Sequence, residues 1–252
     1  MRHNSIAANT KKLVRKISHA LLPSSCTSCN TTLWGDPIPF FCRPCWSTIQ
    51  PLSSPQCPRC SLPFHSEIAL RYSPEHCCGS CRTKPPAFSQ AWTLYPYQSP
   101  LKEAIKLFKY QRKVALTGPI TTLLTQALGT IPPIDLIIPV PLHATRLRER
   151  EYNQSLLLAS GLSQHLHIPL TYTTLVRIRE TPPQTSLTKH ERLKNLRRSF
   201  AVKTPQAIAG KTMLLVDDVY TTGTTVNECA KVLRKAGAGK VYVVTLARMI
   251  KG

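Results

Sequence analysis

The chain has 252 residues, 42% of them apolar, which excludes wholesale disorder and leaves room for a packed core and a second small module. No run approaches the ~20 consecutive apolar residues of a membrane span. Lys and Arg number 33 against 12 Asp and Glu, a formal charge of +21. The excess is spread along the chain: 10 basic against 3 acidic residues up to position 90, and 23 against 9 beyond it. Such a surface favours polyanions: nucleic acid, phosphorylated small molecules or anionic lipid.

In chain order, residues 10–22 come first. Leu13, Val14, Ile17 and Leu21 form an apolar stripe beside Lys11, Lys12, Arg15 and Lys16, which predicts an amphipathic leading helix. The same basic, acid-free character also fits a transit peptide. Next come nine of the ten cysteines, between Cys26 and Cys81, eight of them in four pairs with two-residue gaps. Each gap lets two thiolates of a tight knuckle face one ion, and two knuckles complete a tetrahedral four-sulfur site. Sequential pairing assigns Cys26, Cys29, Cys42 and Cys45 to one zinc and Cys57, Cys60, Cys78 and Cys81 to a second; interleaved pairing stays open. A disulfide framework is the competing reading, without a secretory signal to support it. Cys77 breaks the spacing and is a bystander, and His65 and His76 are surface histidines. Few apolar residues separate the pairs, so the metal takes the place of a core. Residues 82–91, with Pro85 and Pro86, read as a linker.

Beyond the linker, strand and helix patterns alternate. Helices are expected at 99–110, 116–128, 152–167 and 224–236, and strands at 134–140, 170–178, 213–216 and 240–247. Alternation of this kind implies a mostly parallel sheet with helices on both faces, and ligands at the carboxyl ends of its strands. One loop carries chemistry. An apolar strand delivers Asp217 and Asp218, and a hydroxyl-rich turn of Thr221, Thr222, Gly223, Thr224 and Thr225 then opens a helix. Helix-terminal amides and hydroxyls suit a phosphate monoester, and adjacent carboxylates suit two neighbouring sugar hydroxyls. Together they describe a ribose-5-phosphate cradle. A second loop, 142–154, offers Arg146, Arg148 and Arg150 to a pyrophosphate, with Asn153 and Gln154 anchoring the next helix. A third segment from Arg179 to Phe200, with Gln184, Arg192, Arg197 and Arg198, reads as a cover over the site or a nucleic-acid contact. No Gly-Lys-Ser/Thr P-loop occurs in the sequence, which counts against an ATPase.

The segment 213–225 resembles the fingerprint for phosphoribosyl pyrophosphate in the phosphoribosyltransferase superfamily. The order of zinc cysteines, arginine loop, the Thr181/Gln184/Leu187/Arg192/Asn195/Phe200 pattern and ribose-phosphate loop is similar to that of ComF/GntX-family proteins, over roughly residues 21–248. The resemblance implies a type I phosphoribosyltransferase-like α/β fold and three parts: a leading helix (1–22), a double zinc ribbon (23–84) and a phosphoribosyltransferase-like domain (85–252). It implies two structural Zn2+ sites, phosphoribosyl pyrophosphate or a nucleotide as ligand, and Mg2+ entering with that ligand. It further implies a cytoplasmic role in natural competence, at the inner face of the membrane, with single-stranded DNA and competence-machinery proteins as partners. Asp217 and Asp218 would be the catalytic pair of an active transferase. Two alternatives stand beside the binding role: turnover with an unidentified acceptor, and a zinc-ribbon nucleic-acid module on an inactive scaffold. One residue departs from the family pattern: Glu151 stands where the family has glycine before the aromatic-Asn-Gln triplet. It either points outward to an arginine or weakens a pyrophosphate site.

Overall fold

A computed structural model describes residues 24–53, 55–64, 66, 68–179 and 199–250. The leading helix and the positions Gln184, Arg192, Arg197 and Arg198 lie outside the described residues, as does His65.

The cysteine-rich third is built twice over. Cys26 N–H bonds to Thr31 O and Asn30 N–H to Cys26 O, each at 2.8 Å; Cys57 and Leu62, and Ser61 and Cys57, repeat both bonds at 2.8 Å. Asn30 and Ser61 take positive φ values of 62° and 55°, closing the two knuckles the same way. The second pair of each set opens a short helix, α1 (Arg43–Ser47) after Cys42 and α3 (Gly79–Thr83) after Cys78; α2 (Ile68–Tyr72) lies between them.

The remainder is β1 (Gln90–Pro96), α4 (Leu101–Tyr110), α5 (Thr117–Leu128), β2 (Leu136–Pro139), α6 (Ala144–Arg150), α7 (Gln154–Leu166), β3 (Leu175–Arg177), β4 (Phe200–Val202), β5 (Met213–Tyr220), α8 (Thr224–Lys235) and β6 (Val241–Arg248). Four strands form a parallel sheet in the order β1-β6-β5-β2. The central strands β5 and β6 are apolar runs because both faces are covered. Leu214 and Val216 pack with Ile120, Leu124, Leu158 and Leu162 of α5 and α7. Met213 and Leu215 pack with Val226, Cys229 and Leu233 of α8 on the opposite face.

Four sequence expectations change. Residues 82–91 are not a free linker: Arg82 and Thr83 end α3, Phe88 is buried, and Gln90 and Ala91 open β1, a strand that the proline-rich approach concealed. The run 170–178 does not join the sheet as a strand. Leu170 makes a single bridge to Ile137, while Leu175–Arg177 pairs antiparallel with β4. The arginine loop is largely helical, as α6. Finally, the cysteine module does not depend on metal alone for its interior, since Leu33, Phe41 and Cys42 belong to one buried cluster with Leu94, Tyr95 and Phe108.

Both sheet edges are covered, which removes the pairing hazard of an open strand. Leu52 N–H bonds to Leu94 O (2.8 Å) and Ala91 N–H to Arg59 O (2.9 Å), so the cysteine module closes the β1 edge. Residues 169–171 do the same for β2 through Ile137 N–H to Pro169 O and Thr171 N–H to Ile137 O.

Candidate metal centres and ligand site

The eight paired cysteines gather in two sets: Cys26, Cys29, Cys42 and Cys45, and Cys57, Cys60, Cys78 and Cys81. Within each set all four sulfurs lie within 4.8 Å of one another, and Cys29 to Cys42 and Cys60 to Cys78 are 3.7 Å apart. Tetrahedral zinc with bonds of about 2.3 Å places its sulfurs about 3.8 Å apart, so both sets fit zinc in the sequential pairing. Cys78 N–H reaches Cys57 Sγ at 3.3 Å, an amide contact that steadies a thiolate. Four thiolates complete the coordination of the ion, so these centres hold structure and leave no position for a substrate.

Asp217 and Asp218 lie near the carboxyl end of β5, which runs four residues past the predicted end at Val216. Asp217 Oδ1 accepts from Ser155 Oγ (2.9 Å) and from Asp218 N–H (3.0 Å). Asp218 Oδ1 is 2.7 Å from Lys109 Nζ, with side chains 11% and 17% exposed. Burial, then repulsion from Asp218, lifts the Asp217 carboxyl to about 7; Lys109, the Asp218 amide and the Ser155 hydroxyl pull the other way. Burial alone would lower Lys109, but the carboxylate of Asp218 outweighs it and raises the ammonium above its ordinary range. A carboxylate oxygen has two lone pairs and each aspartate has two oxygens, so ring hydroxyls of a sugar can still be accepted here.

The turn after β5 is shaped by Gly223. Its φ of +74° is left-handed, and a Cβ there would lie 2.1 Å from Tyr220 Oη. Only glycine fits both the backbone and the ring beneath it. Thr222 and Thr224 hydroxyls share a 2.8 Å hydrogen bond at the start of α8, while Thr221 and Thr225 are half-buried beside them. Gly223, at the helix N-cap, offers no side chain to the first amides, the arrangement that leaves a helix terminus ready for an anion.

The arginine segment is braced to α4. His143 caps α6 by accepting from Thr145 N–H at 3.4 Å, a structural role. Arg146 and Arg150 are half-buried, whereas Arg148 is exposed and on the surface. Arg150 donates to Gln154 Oε1 (3.1 Å) and lies 5.1 Å from the Tyr110 ring centroid. Tyr152 Oη donates to Phe108 O. Glu151 points outward, as a C-cap with φ +68°, and pairs with Arg112 at 2.6 Å. This left-handed conformation is one that glycine adopts most readily. Asn153 caps α7 as expected, accepting from Ser155 N–H (3.0 Å) and donating to Val140 O (3.0 Å). Arg179 is exposed, two residues beyond β3.

Sequence reasoning missed Lys109, Ser155, Tyr220 and Arg248. Lys109 occupies an ordinary last-turn helical position, and only the β1–β6 pairing carries α4 to the acidic pair. Arg248 did leave a signal, as a charge closing an otherwise uncharged run, Val241–Ala247. Trp46 packs on Phe41 and Trp92 on Tyr242, whereas Tyr110 is 63% exposed.

Residues 17–82 match the double zinc ribbon domain and residues 153–252 the phosphoribosyl transferase domain. The chain is 35% identical over 202 residues to the DNA utilization protein YhgH of Escherichia coli, covering 77% of this chain and 84% of that protein. It is 34% identical over 199 residues to competence protein F of Haemophilus influenzae, covering 75% and 86%. Competence protein ComFC of Streptococcus pneumoniae is 26% identical over 247 residues, covering 96% and 98%. No helix among the described residues is long and apolar enough to cross a membrane. With its paired zinc ribbons preceding a phosphoribosyltransferase-type sheet, the chain belongs to the ComF/GntX family.

Proposed function

We propose that the protein binds phosphoribosyl pyrophosphate, or a nucleotide carrying the same ribose 5-phosphate, and that it serves DNA uptake on the cytoplasmic side of the membrane by handling single-stranded DNA. The observation that carries the reading is the sequence of groups along one strand and turn. Asp217 and Asp218 present carboxylate oxygens for a diol, and the Thr221–Thr225 turn around Gly223 presents hydroxyls and helix-terminal amides for a phosphate. Arg146 and Arg150 stand on the neighbouring segment as pyrophosphate donors. Mg2+, held by the ligand's own hydroxyls and pyrophosphate, would neutralise the departing group. The names of the relatives support the DNA-uptake setting, and the charge of +21 supplies the attraction for a polyanion.

Calorimetric titration with phosphoribosyl pyrophosphate and Mg2+ tests the ligand. Binding that disappears in the folded Asp217→Ala/Asp218→Ala double variant is the expected result; absence of binding to the parent protein refutes it. For DNA, affinity for an oligonucleotide should fall steeply with salt, with a log–log slope of about −2 or steeper if three or more phosphates are neutralised. A flat response removes the nucleic-acid role.

Turnover is the second reading, favoured by the Asp217 carboxyl lying at about 7, where it can take and return a proton near neutral pH. Asp217 and Asp218 would then steady the sugar as positive charge develops at its anomeric carbon. Release of pyrophosphate in the presence of nucleobases, amines or DNA distinguishes this from binding alone. A folded double aspartate variant with full cellular function would instead leave the zinc ribbons as the working part.

A further inference from the structure

Arg248, the last residue of β6, is buried at 6% exposure, and its guanidinium finds unusual company. It donates through Nη1 to Cys60 O at 2.6 Å, its Nη2 lies 3.9 Å from Cys60 Sγ, and its ζ carbon sits 4.6 Å from the Tyr220 ring centroid. Among the described residues no carboxylate lies within ion-pair distance of it. A buried cation needs a counter-charge. The nearest is the second cysteine set: four thiolates around one Zn2+ carry a net charge of −2.

The Tyr220 phenol also lies against the phosphate turn. Gly223 sits so close to the phenol that a Cβ would meet Oη at 2.1 Å and Cζ at 2.4 Å. Tyr220 O is fixed as well, by Met249 N–H at 3.0 Å. A contiguous line of contacts therefore runs from Cys60 through Arg248 and Tyr220 to Gly223.

We infer that Arg248 and Tyr220 are positioning residues that couple the second zinc cluster to the Thr221–Thr225 turn, so that metal loading of that cluster sets the shape and ligand affinity of the turn. With the cluster charged, Arg248 is held over Tyr220, and Tyr220 supports the left-handed glycine. Without the metal nothing gathers the second knuckle, the Cys60 carbonyl that holds the guanidinium is released, and Arg248 loses its seat over Tyr220. The binding part of this inference rests on the ribose-5-phosphate reading of the turn; the conformational part does not.

Hydrogen–deuterium exchange on the full zinc-loaded chain separates the two. In Arg248→Met, the peptide spanning 221–227 should exchange faster by about tenfold, within the usual range of site-to-site coupling, while zinc content stays at two per chain and α5 keeps its protection. Arg248→Lys should restore part of the protection, because it keeps the charge and loses the planar fork. Withdrawing zinc from the parent chain with a chelator should produce the same local loss. Where Arg248→Met loses α5 protection as well, Tyr220→Leu and Tyr220→Phe replace it, with Leu expected to loosen the turn and Phe to preserve it. Unchanged exchange at 221–227 in the folded variants overturns the inference. Titration with ribose 5-phosphate provides the other arm. Parent protein that never binds the sugar, with exchange that responds as expected, refutes the ligand reading and leaves the coupling standing. Parent protein that binds it, with neither exchange nor affinity changed in Arg248→Met, refutes the coupling.

Discussion

Asp217→Asn tests the electrostatics of the acidic pair through stability. In the folded chain burial and Asp218 lift the Asp217 carboxyl to about 7, whereas an unfolded aspartate titrates at about 3.9. Between those values the folded protein holds a proton that the unfolded chain has released. Stability therefore falls as pH rises through this window, and the loss is complete once the folded carboxyl has ionised. From pH 6 to pH 8 a single group titrating near 7 costs about 1.3 kcal/mol, which is ~3–5 °C of melting temperature for a chain of this size. Asparagine keeps the Oδ1 acceptor for Ser155 Oγ and Asp218 N–H and removes the charge. Thermal melts of the zinc-loaded proteins at pH 6, 7 and 8 should show the variant gaining on the parent as pH rises, by that amount across the range. The cysteine sets titrate equally in both proteins, so the difference isolates Asp217. Two melting curves that move in parallel with pH would refute the placement of a raised carboxyl here.

Lys109→Met leaves Asp218 as a buried charge without its ammonium and should destabilise the fold by about 3 kcal/mol; chemical denaturation of this variant should show the loss, and adding Asp218→Asn should recover most of it. Glu151→Gly removes the cost of a left-handed non-glycine residue and gives up only an exposed ion pair, so it should stabilise the chain by about 0.5–1 kcal/mol, read as a higher denaturation midpoint. Gly223→Ala combines a φ of +74° with a Cβ 2.1 Å from Tyr220 Oη and should cost about 2 kcal/mol or more while abolishing ribose 5-phosphate binding by calorimetry. Elemental analysis should find two zinc ions per chain in Cys77→Ser and fewer in Cys60→Ser, since only Cys60 is among the four clustered sulfurs.

Patterns set by near neighbours were legible before any coordinates. The two-residue cysteine gaps and the apolar period of α5 and α8 translate directly into local geometry, and the strand–turn–helix at 213–225 did so apart from the run of β5 past Val216. What remained hidden is set by partners distant in the chain. Strand β1 follows two prolines and looks like linker until β6, some 150 positions on, supplies its hydrogen bonds. Lys109 looks like a solvated helix-end cation until that pairing carries α4 to the acidic pair. The segment around Leu170 has the composition of a strand, yet only one bridge forms, because the run turns away to pair with β4. Glu151 shows the opposite case: sequence framed two outcomes for its side chain, and the backbone angle and Arg112 decide between them.

The strand order β1-β6-β5-β2 has a consequence for biosynthesis. Among the described strands, the two latest in the chain make the middle of the sheet, and the earliest, β1, pairs with β6 alone. Cysteine knuckles close over short distances and can capture their ions while the rest is still being translated, because little loop entropy opposes them. The zinc ribbons are therefore available as a finished surface against which the late strands dock, and a transcript cut short before β6 would yield a metal-bearing fragment with an exposed, unpartnered edge.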